Sequence, residues 1–270
     1  MKTIYGILAA LILVTTLAGS PVVAQANGKA KNIPASAPPQ RREIERIVRE
    51  YLLQNPEIVR EAMLALQQKE EKQKNLAVAE NIKRLRAEIY SDADSPAAGK
   101  AGGDITVVVF YDYFCGHCRR SLPALEQLVA RDGAVRVIYK ELPIMGPESL
   151  VAAKASLAAA RQGKFAAFHQ ALYEADSVSD DALKAIAERL GLDYAKLRAD
   201  MADPKIEAAL ERNANLAASL NIGGTPAYLV GEQLIPGAID AASLAQIVAG
   251  ERAKLATTKS LSEAVNSSSQ

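Results

Sequence analysis

The sequence contains few of the residues from which metal and nucleic-acid sites are usually built. Its 270 residues include two cysteines, two histidines and no tryptophan, and aromatic residues make up 5% of the chain. Zinc needs four ligands, and one cysteine pair supplies only two of them, so no metal site is expected. The formal net charge is +1, which predicts no nucleic-acid partner. The apolar fraction of 49% is sufficient for a sizeable core.

Long apolar runs are also absent, except for one at the N-terminus. Lys2 precedes an apolar run at 4–17, and Ala24 and Ala26 then have the spacing of an A-x-A cleavage site. The run is shorter than the roughly 20 residues that cross a bilayer comfortably. We therefore interpret 1–26 as a secretory signal peptide rather than an uncleaved membrane anchor. The mature protein is expected to be periplasmic or secreted.

Changes in composition divide the rest of the chain into five segments. Residues 27–40 are polar and rich in proline, which predicts a flexible tether, and residues 91–103 are small and glycine-rich, which predicts a linker. Between them, residues 41–90 have helical periodicity and form a predicted helical arm. The main domain is predicted over 104–250, and a tail over 251–270.

The predicted arm carries two apolar stripes, which a charged run separates. The first stripe starts with Ile44, Ile47, Val48, Tyr51 and Leu52, and it continues beyond a helix break at "NPE". The second stripe consists of Val78, Ile82, Leu85 and Ile89. Nothing within the arm can bury both stripes, so each needs a partner surface. The partner is either the body of the same chain or another copy, and we favour self-association into a dimer or trimer.

The body has the pattern strand, helix, strand, a helical block at about 146–220, then strand, strand and helix. The first three elements predict a parallel crossover. This order is that of an α/β protein with a thioredoxin fold and an inserted helical domain, which the helical arm precedes.

The only two cysteines, Cys115 and Cys118, lie where the first strand gives way to a helix. In an exported protein a cysteine pair is usually a structural disulfide, but a bridge across two residues closes almost no loop and stabilises little. The position instead favours redox chemistry, because the N-terminus of a helix lowers a thiol pKa. Cys115 is expected to be the nucleophile, and Cys118, expected to be more buried, the resolving thiol. The imidazole of His117 is expected to stabilise the thiolate further.

A second motif, "GGTP", precedes a later strand and ends with Thr225 and Pro226. Together with "FCGHC" about 110 residues earlier, it makes residues 104–250 resemble the DsbA family of the thioredoxin superfamily. The resemblance implies a cis Thr225–Pro226 bond that faces the cysteines and binds extended client peptide. A threonine before this proline is similar to the isomerase branches. By the same resemblance, Thr225→Val is expected to shift the protein towards oxidase behaviour.

The arm is similar to the N-terminal region of the ScsC-like subgroup, some members of which oligomerise through it. One departure concerns the strand before the motif, which reads Val107, Val108 and Val109 where many relatives carry a buried acid. Asp112 is the nearest acidic residue.

These features predict an exported thiol–disulfide oxidoreductase that acts on client proteins with cysteines. Its redox-active group is expected to be a Cys115–Cys118 disulfide, with no other cofactor. An oligomeric isomerase or reductase, kept reduced by a membrane redox partner, is the favoured hypothesis. The alternatives are a monomeric oxidase that a quinone-linked partner reoxidises, and a periplasmic copper-binding protein that uses the two thiolates as soft ligands.

Overall fold

The computed structural model describes residues 39–267. The predicted signal peptide, 1–26, and residues 27–38 of the predicted tether lie outside the described residues. Residues 39 and 40, which were assigned to the tether, instead begin the first helix. The chain divides into two compact units, with the boundary after Leu64. Within 39–267, no helix is both long enough and apolar enough to span a membrane.

The described part of the first unit contains α1, Pro39–Gln54, and the beginning of α2, Glu57–Arg84. The predicted break at 55–57 separates the two helices, because the side chain of Asn55 donates to the carbonyl of Tyr51 at 2.8 Å and ends α1. The first apolar stripe stays largely exposed: Ile44 is 61% exposed and Tyr51 is 55% exposed.

The second unit contains one mixed sheet and the remaining helices. After α2 come α3 (Arg86–Tyr90), β1 (Ala97–Gly99), β2 (Ile105–Tyr111), α4 (Gly116–Arg131) and β3 (Val135–Glu141). The helical block consists of α5 (Pro147–Arg161), α6 (Phe165–Glu174), α7 (Asp180–Arg189), α8 (Tyr194–Met201) and α9 (Pro204–Ser219). The chain then forms β4 (Ala227–Val230), β5 (Gln233–Pro236) and α10 (Ala241–Ser267).

The strands lie in the order β1-β3-β2-β4-β5. β2 and β3 are parallel, with Val109 opposite Tyr139 and Tyr111 opposite Glu141, as the predicted crossover requires. The other pairings are antiparallel. In the β4–β5 hairpin, Gly231 has a φ of 60°, a conformation that glycine adopts at little cost. Because β2 is the central strand, its C-terminal end and the cysteine motif after it lie in the middle of the row of strand ends.

Both faces of the sheet are buried, and β2 supplies alternate residues to each. Val107, Val109 and Tyr111 face a core formed with α4, α10 and the helical block. Val108 and Phe110 face a second core. This core contains three residues of the second arm stripe, Ile82, Leu85 and Ile89, and Val78 packs against it. The second stripe therefore packs on the body of its own chain, which leaves the first stripe as the candidate surface for self-association.

Two predicted boundaries differ from the structure. Residues 91–103 were predicted to be a linker, but β1 lies within them and pairs with β3. The buried Lys140 also holds Asp92 in an ion pair of 2.6 Å, so this segment belongs to the folded body. The predicted tail also differs over residues 251–267, because α10 continues to Ser267 and Arg252 forms ion pairs with Asp104 and Asp132 of the body.

Candidate active site

The two cysteines lie at the start of α4. Cys115 is the N-cap residue of this helix, and its sulfur accepts a hydrogen bond from the backbone N–H of Cys118 at 3.4 Å. The first turn of a helix leaves its N–H groups unpaired, and its dipole favours negative charge at this end. Both cysteines are free thiols. The geometry therefore favours a thiolate on Cys115.

The second motif meets the first in space. The Thr225–Pro226 peptide bond is cis, as the resemblance implies. The carbonyl oxygen of Thr225 lies 3.2 Å from the sulfur of Cys115, and β4 begins directly after the proline. The fold thus brings together two segments that lie 110 positions apart in the sequence.

The two thiols ionise differently. Burial raises the pKa of the Cys115 thiol, but the Thr225 side chain and the backbone N–H groups of Cys118 and His117 outweigh it, so its pKa lies below the ordinary value. Burial raises the pKa of Cys118 to about 12. The hydroxyl of Thr225 is buried and has no hydrogen-bond partner among the described residues, which leaves it free to donate to a thiolate.

Both cysteines are 3% exposed, so the exposed fraction of the residue does not separate them. Burial nevertheless dominates the pKa of Cys118, whereas hydrogen bonds outweigh it at Cys115. One detail differs from expectation: Nδ1 of the His117 imidazole lies 2.8 Å from Arg120. The support that His117 gives to the thiolate therefore comes through its backbone N–H.

A buried polar cluster beside the motif was not predicted. Its central residue is Tyr113, whose hydroxyl lies 2.7 Å from Nδ1 of His169 and donates to Ser156 at 2.8 Å. Tyr111 donates to the carboxyl group of Glu141. His169 is 5% exposed and Glu141 is 1% exposed, so both side chains are buried.

Burial sets the charge of this cluster. It raises the pKa of Glu141 to about 8 and lowers the pKa of His169 to about 3, so both side chains are neutral at pH 7. The burial of Glu141 could have been predicted from the sequence, because Glu141 alternates with the apolar residues Val135, Val137 and Tyr139 on one face of β3. An acidic residue at such a position needs a hydrogen-bonded environment.

Metal ligation has little support in the residues present. Between 39 and 267, no group of three or more histidine, cysteine, aspartate or glutamate side chains is arranged to hold a metal ion. The cysteine pair would have to bind a metal by itself.

A thiol pair on the first turn of the helix that follows a central parallel strand belongs to the thioredoxin-like class, and the site is that of a thiol–disulfide oxidoreductase of the DsbA and ScsC type. More specifically, residues 106–249, over half of the chain, match the model of the DSBA-like thioredoxin domain, and the chain belongs to this family. Residues 40–73 match the copper resistance protein ScsC N-terminal domain. The predicted fold class is thereby confirmed.

Solved structures agree with this assignment. A thioredoxin-like oxidoreductase from Silicibacter pomeroyi is 38% identical, with a TM-score of 0.60, over 62% of this chain and 97% of that one. A linker-deletion variant of Proteus mirabilis ScsC is 28% identical, with a TM-score of 0.62, over 82% of this chain and all of the other.

A Salinispora tropica protein named Na(+)/H(+) antiporter NhaA 3 is 30% identical over 57% of this chain. The chain spans about a quarter of the length of that relative.

Proposed function

We propose that this protein exchanges disulfides with client proteins, with Cys115 as the nucleophile and Cys118 as the resolving thiol. The observation that carries the proposal is the opposite perturbation of the two thiols, one with a lowered pKa and one raised to about 12. Only the thiolate attacks a disulfide. The lowered pKa favours Cys115 over Cys118 as the attacking group.

The electrons balance in two steps. The Cys115 thiolate attacks one sulfur of a client disulfide, which forms a mixed disulfide and releases the other client sulfur as a thiolate. If Cys118 then loses its proton and attacks Cys115, the client leaves reduced by two electrons and the Cys115–Cys118 disulfide forms. If the thiolate of a different client cysteine instead attacks the client sulfur bonded to Cys115, a new client disulfide forms, Cys115 leaves as a thiolate, and the client is rearranged without net oxidation or reduction. The reverse of the first route oxidises a client dithiol.

Client binding is assigned to Thr225 and Pro226. The Thr225 carbonyl lies beside the sulfur of Cys115, where the backbone of an extended peptide can pair with this segment. Main-chain pairing holds a client without selecting its sequence. Such tolerance suits a protein that acts on many clients.

The exposed stripe of the first unit supports an oligomeric isomerase. Ile44, Ile47, Val48 and Tyr51 are each about half exposed or more, and a stable amphipathic helix needs to bury such a face. The match of residues 40–73 to an ScsC N-terminal domain supports the same assignment. Several active sites in one assembly would hold a misfolded client by multivalency. A periplasmic or secreted location and a membrane redox partner complete the proposal.

The test is reactivation of scrambled ribonuclease by the chain from residue 27 onward. The double variant Ile47→Glu/Val48→Glu places two charges on the exposed stripe. Arg49→Glu is the matched control, because it changes the charge by the same amount on the opposite face of α1. Sedimentation equilibrium reports the oligomeric state of each protein.

The proposal expects the double variant to become monomeric and to lose isomerase activity, while the control keeps both properties. If the unmodified chain is monomeric and only oxidises reduced ribonuclease, the oxidase hypothesis replaces the isomerase. If Cys115→Ser retains thiol exchange, the assignment of the nucleophile is wrong.

Copper binding is a second candidate, favoured by the description of the family that matches residues 40–73. Two thiolates suffice for Cu(I), but both sulfurs must lose their protons. A pKa of about 12 for Cys118 opposes this. Retention of one Cu(I) per chain against a competing chelator, lost in Cys118→Ser, would favour this candidate.

A further inference from the structure

Asp112 directly follows β2 and is 1% exposed, yet its carboxylate has a complete set of donors. Oδ1 accepts from the backbone N–H of Phe114 at 2.7 Å and from the hydroxyl of Ser149 at 2.8 Å. Oδ2 accepts from the backbone N–H groups of Ile144 at 2.8 Å and Met145 at 2.9 Å. An ionised carboxylate has about four acceptor sites, so the four donors saturate it.

The donors come from three separate segments. Phe114 belongs to the loop that carries Cys115, Ile144 and Met145 belong to the loop after β3, and Ser149 lies in the first turn of α5. Hydrogen bonds to an ionised acceptor are stronger than neutral ones. Asp112 thus fixes the two loops and the helix relative to one another.

The residues held in this way present apolar side chains to solvent. Phe114 is 38% exposed, Ile144 is 49% exposed and Met145 is 53% exposed. Among the described residues of the second unit, the other exposed large apolar side chains lie on the long helices α2 and α10: Leu66, Leu76, Leu255 and Leu261. The apolar loop residues, Phe114, Ile144 and Met145, are here named the rim. The rim adjoins the nucleophile, because Phe114 immediately precedes Cys115.

We propose that Asp112 is a positioning residue, which holds the rim beside Cys115 so that it binds the apolar residues flanking a client cysteine. The inference rests on the proposed function. The occupant follows from the position of the rim, since any polypeptide whose cysteine reaches Cys115 passes next to Phe114, and Asp112 holds the loop of Ile144 and Met145 to the same segment. Apolar flanks are typical of cysteines that become buried once a client folds.

The test uses two short peptides, each disulfide-linked to a small leaving thiol and differing only in flanking residues, leucine and phenylalanine in one and serine and glycine in the other. The ratio of their kcat/KM values is measured for the unmodified chain, for Asp112→Asn and for the control Asp181→Asn, which makes the same chemical change on the exposed surface of α7. Bis(2-hydroxyethyl) disulfide reports thiol exchange without a peptide. A general loss of stability lowers all three rates together and leaves the peptide ratio unchanged.

The unmodified chain and Asp181→Asn are expected to prefer the apolar peptide about tenfold. Asp112→Asn is expected to bring this ratio close to one, mainly through KM. An equal ratio in all three proteins overturns the inference, and so does a ratio of one in the unmodified chain. If the unmodified chain reacts with no disulfide at all, the proposed function fails instead. If Asp112→Asn does not fold, Ser149→Ala and Phe114→Ser must each lower the ratio, and no change in either overturns the inference.

Discussion

Replacing Glu141 by glutamine should remove a large part of the pH dependence of stability. Glu141 is fully buried, accepts a hydrogen bond from Tyr111, and has one carboxyl oxygen, Oε2, without a partner among the described residues. Burial raises its pKa from 4.5 to about 8. The folded protein therefore holds a proton that the unfolded chain releases above pH 4.5.

The sign follows from proton linkage. Because the folded state binds more protons between pH 4.5 and pH 8, the free energy of unfolding falls as pH rises through this range. At about 1.4 kcal/mol per pKa unit, the difference between 4.5 and about 8 gives an upper limit of about 5 kcal/mol. His169 acts oppositely, because its folded pKa of about 3 makes stability rise with pH up to the ordinary histidine value.

The assay is urea unfolding of the wild type and Glu141→Gln at intervals from pH 5 to pH 8.5. The contribution of His169 is common to both proteins and cancels in their difference. Glutamine keeps the acceptor for Tyr111 but brings an amide group that lacks a partner, so slopes rather than absolute stabilities are compared. The wild type should lose several kcal/mol relative to the variant as pH rises. Parallel curves within about 1 kcal/mol would refute the assignment of Glu141 as a buried neutral acid.

Three further predictions concern the thiols and the second arm stripe. Cys118→Ser should accumulate mixed disulfides with clients on non-reducing gels, and adducts with Cys115→Ser instead would reverse the roles. Thr225→Val should raise the pKa of Cys115, which is measured by thiolate absorbance at 240 nm. The same change should make the reduction potential of the cysteine pair more negative. A more positive potential would instead agree with the shift towards oxidase behaviour that the resemblance implies. Ile82→Ala should lower the free energy of unfolding by about 2–5 kcal/mol. The control Leu66→Ala, at an exposed position, should lower it by less than about 0.5 kcal/mol. Equal losses in the two variants would contradict the packing of the second stripe.

Local sequence predicted that Cys115 lies at the start of a helix. The strand β2 and the start of α4 can be predicted from local sequence, because a buried apolar strand and a capped helix each have a characteristic pattern over a few residues. Cys115 lies at their junction, where a helix N-terminus favours a thiolate whatever the rest of the chain does. The pairing of Cys115 with Thr225 depended on the resemblance, because nothing local joins segments 110 positions apart.

Polar residues were predicted less well, because their partners are distant in sequence. Asp112 takes its donors from residues up to 37 positions away, and His169 meets Tyr113 across 56 positions. A polar residue beside an apolar run has the same sequence pattern whether it faces solvent or a buried partner. Only the register of β2 with β3 and the seating of α5 and α6 decide between the two.

The sequence by itself determined the fold class, the cysteine motif and the existence of two apolar stripes in the arm. The tertiary structure decided how the stripes differ: Ile82 and Ile89 are buried against the sheet and α9, whereas Ile44 and Tyr51 remain exposed. It also turned the predicted linker and tail into parts of the body, through the pairing of β1 and the ion pairs of Arg252. The physical reason is that periodicity shows which face of a helix needs burial, while the surface that buries it is formed by residues far away in the sequence.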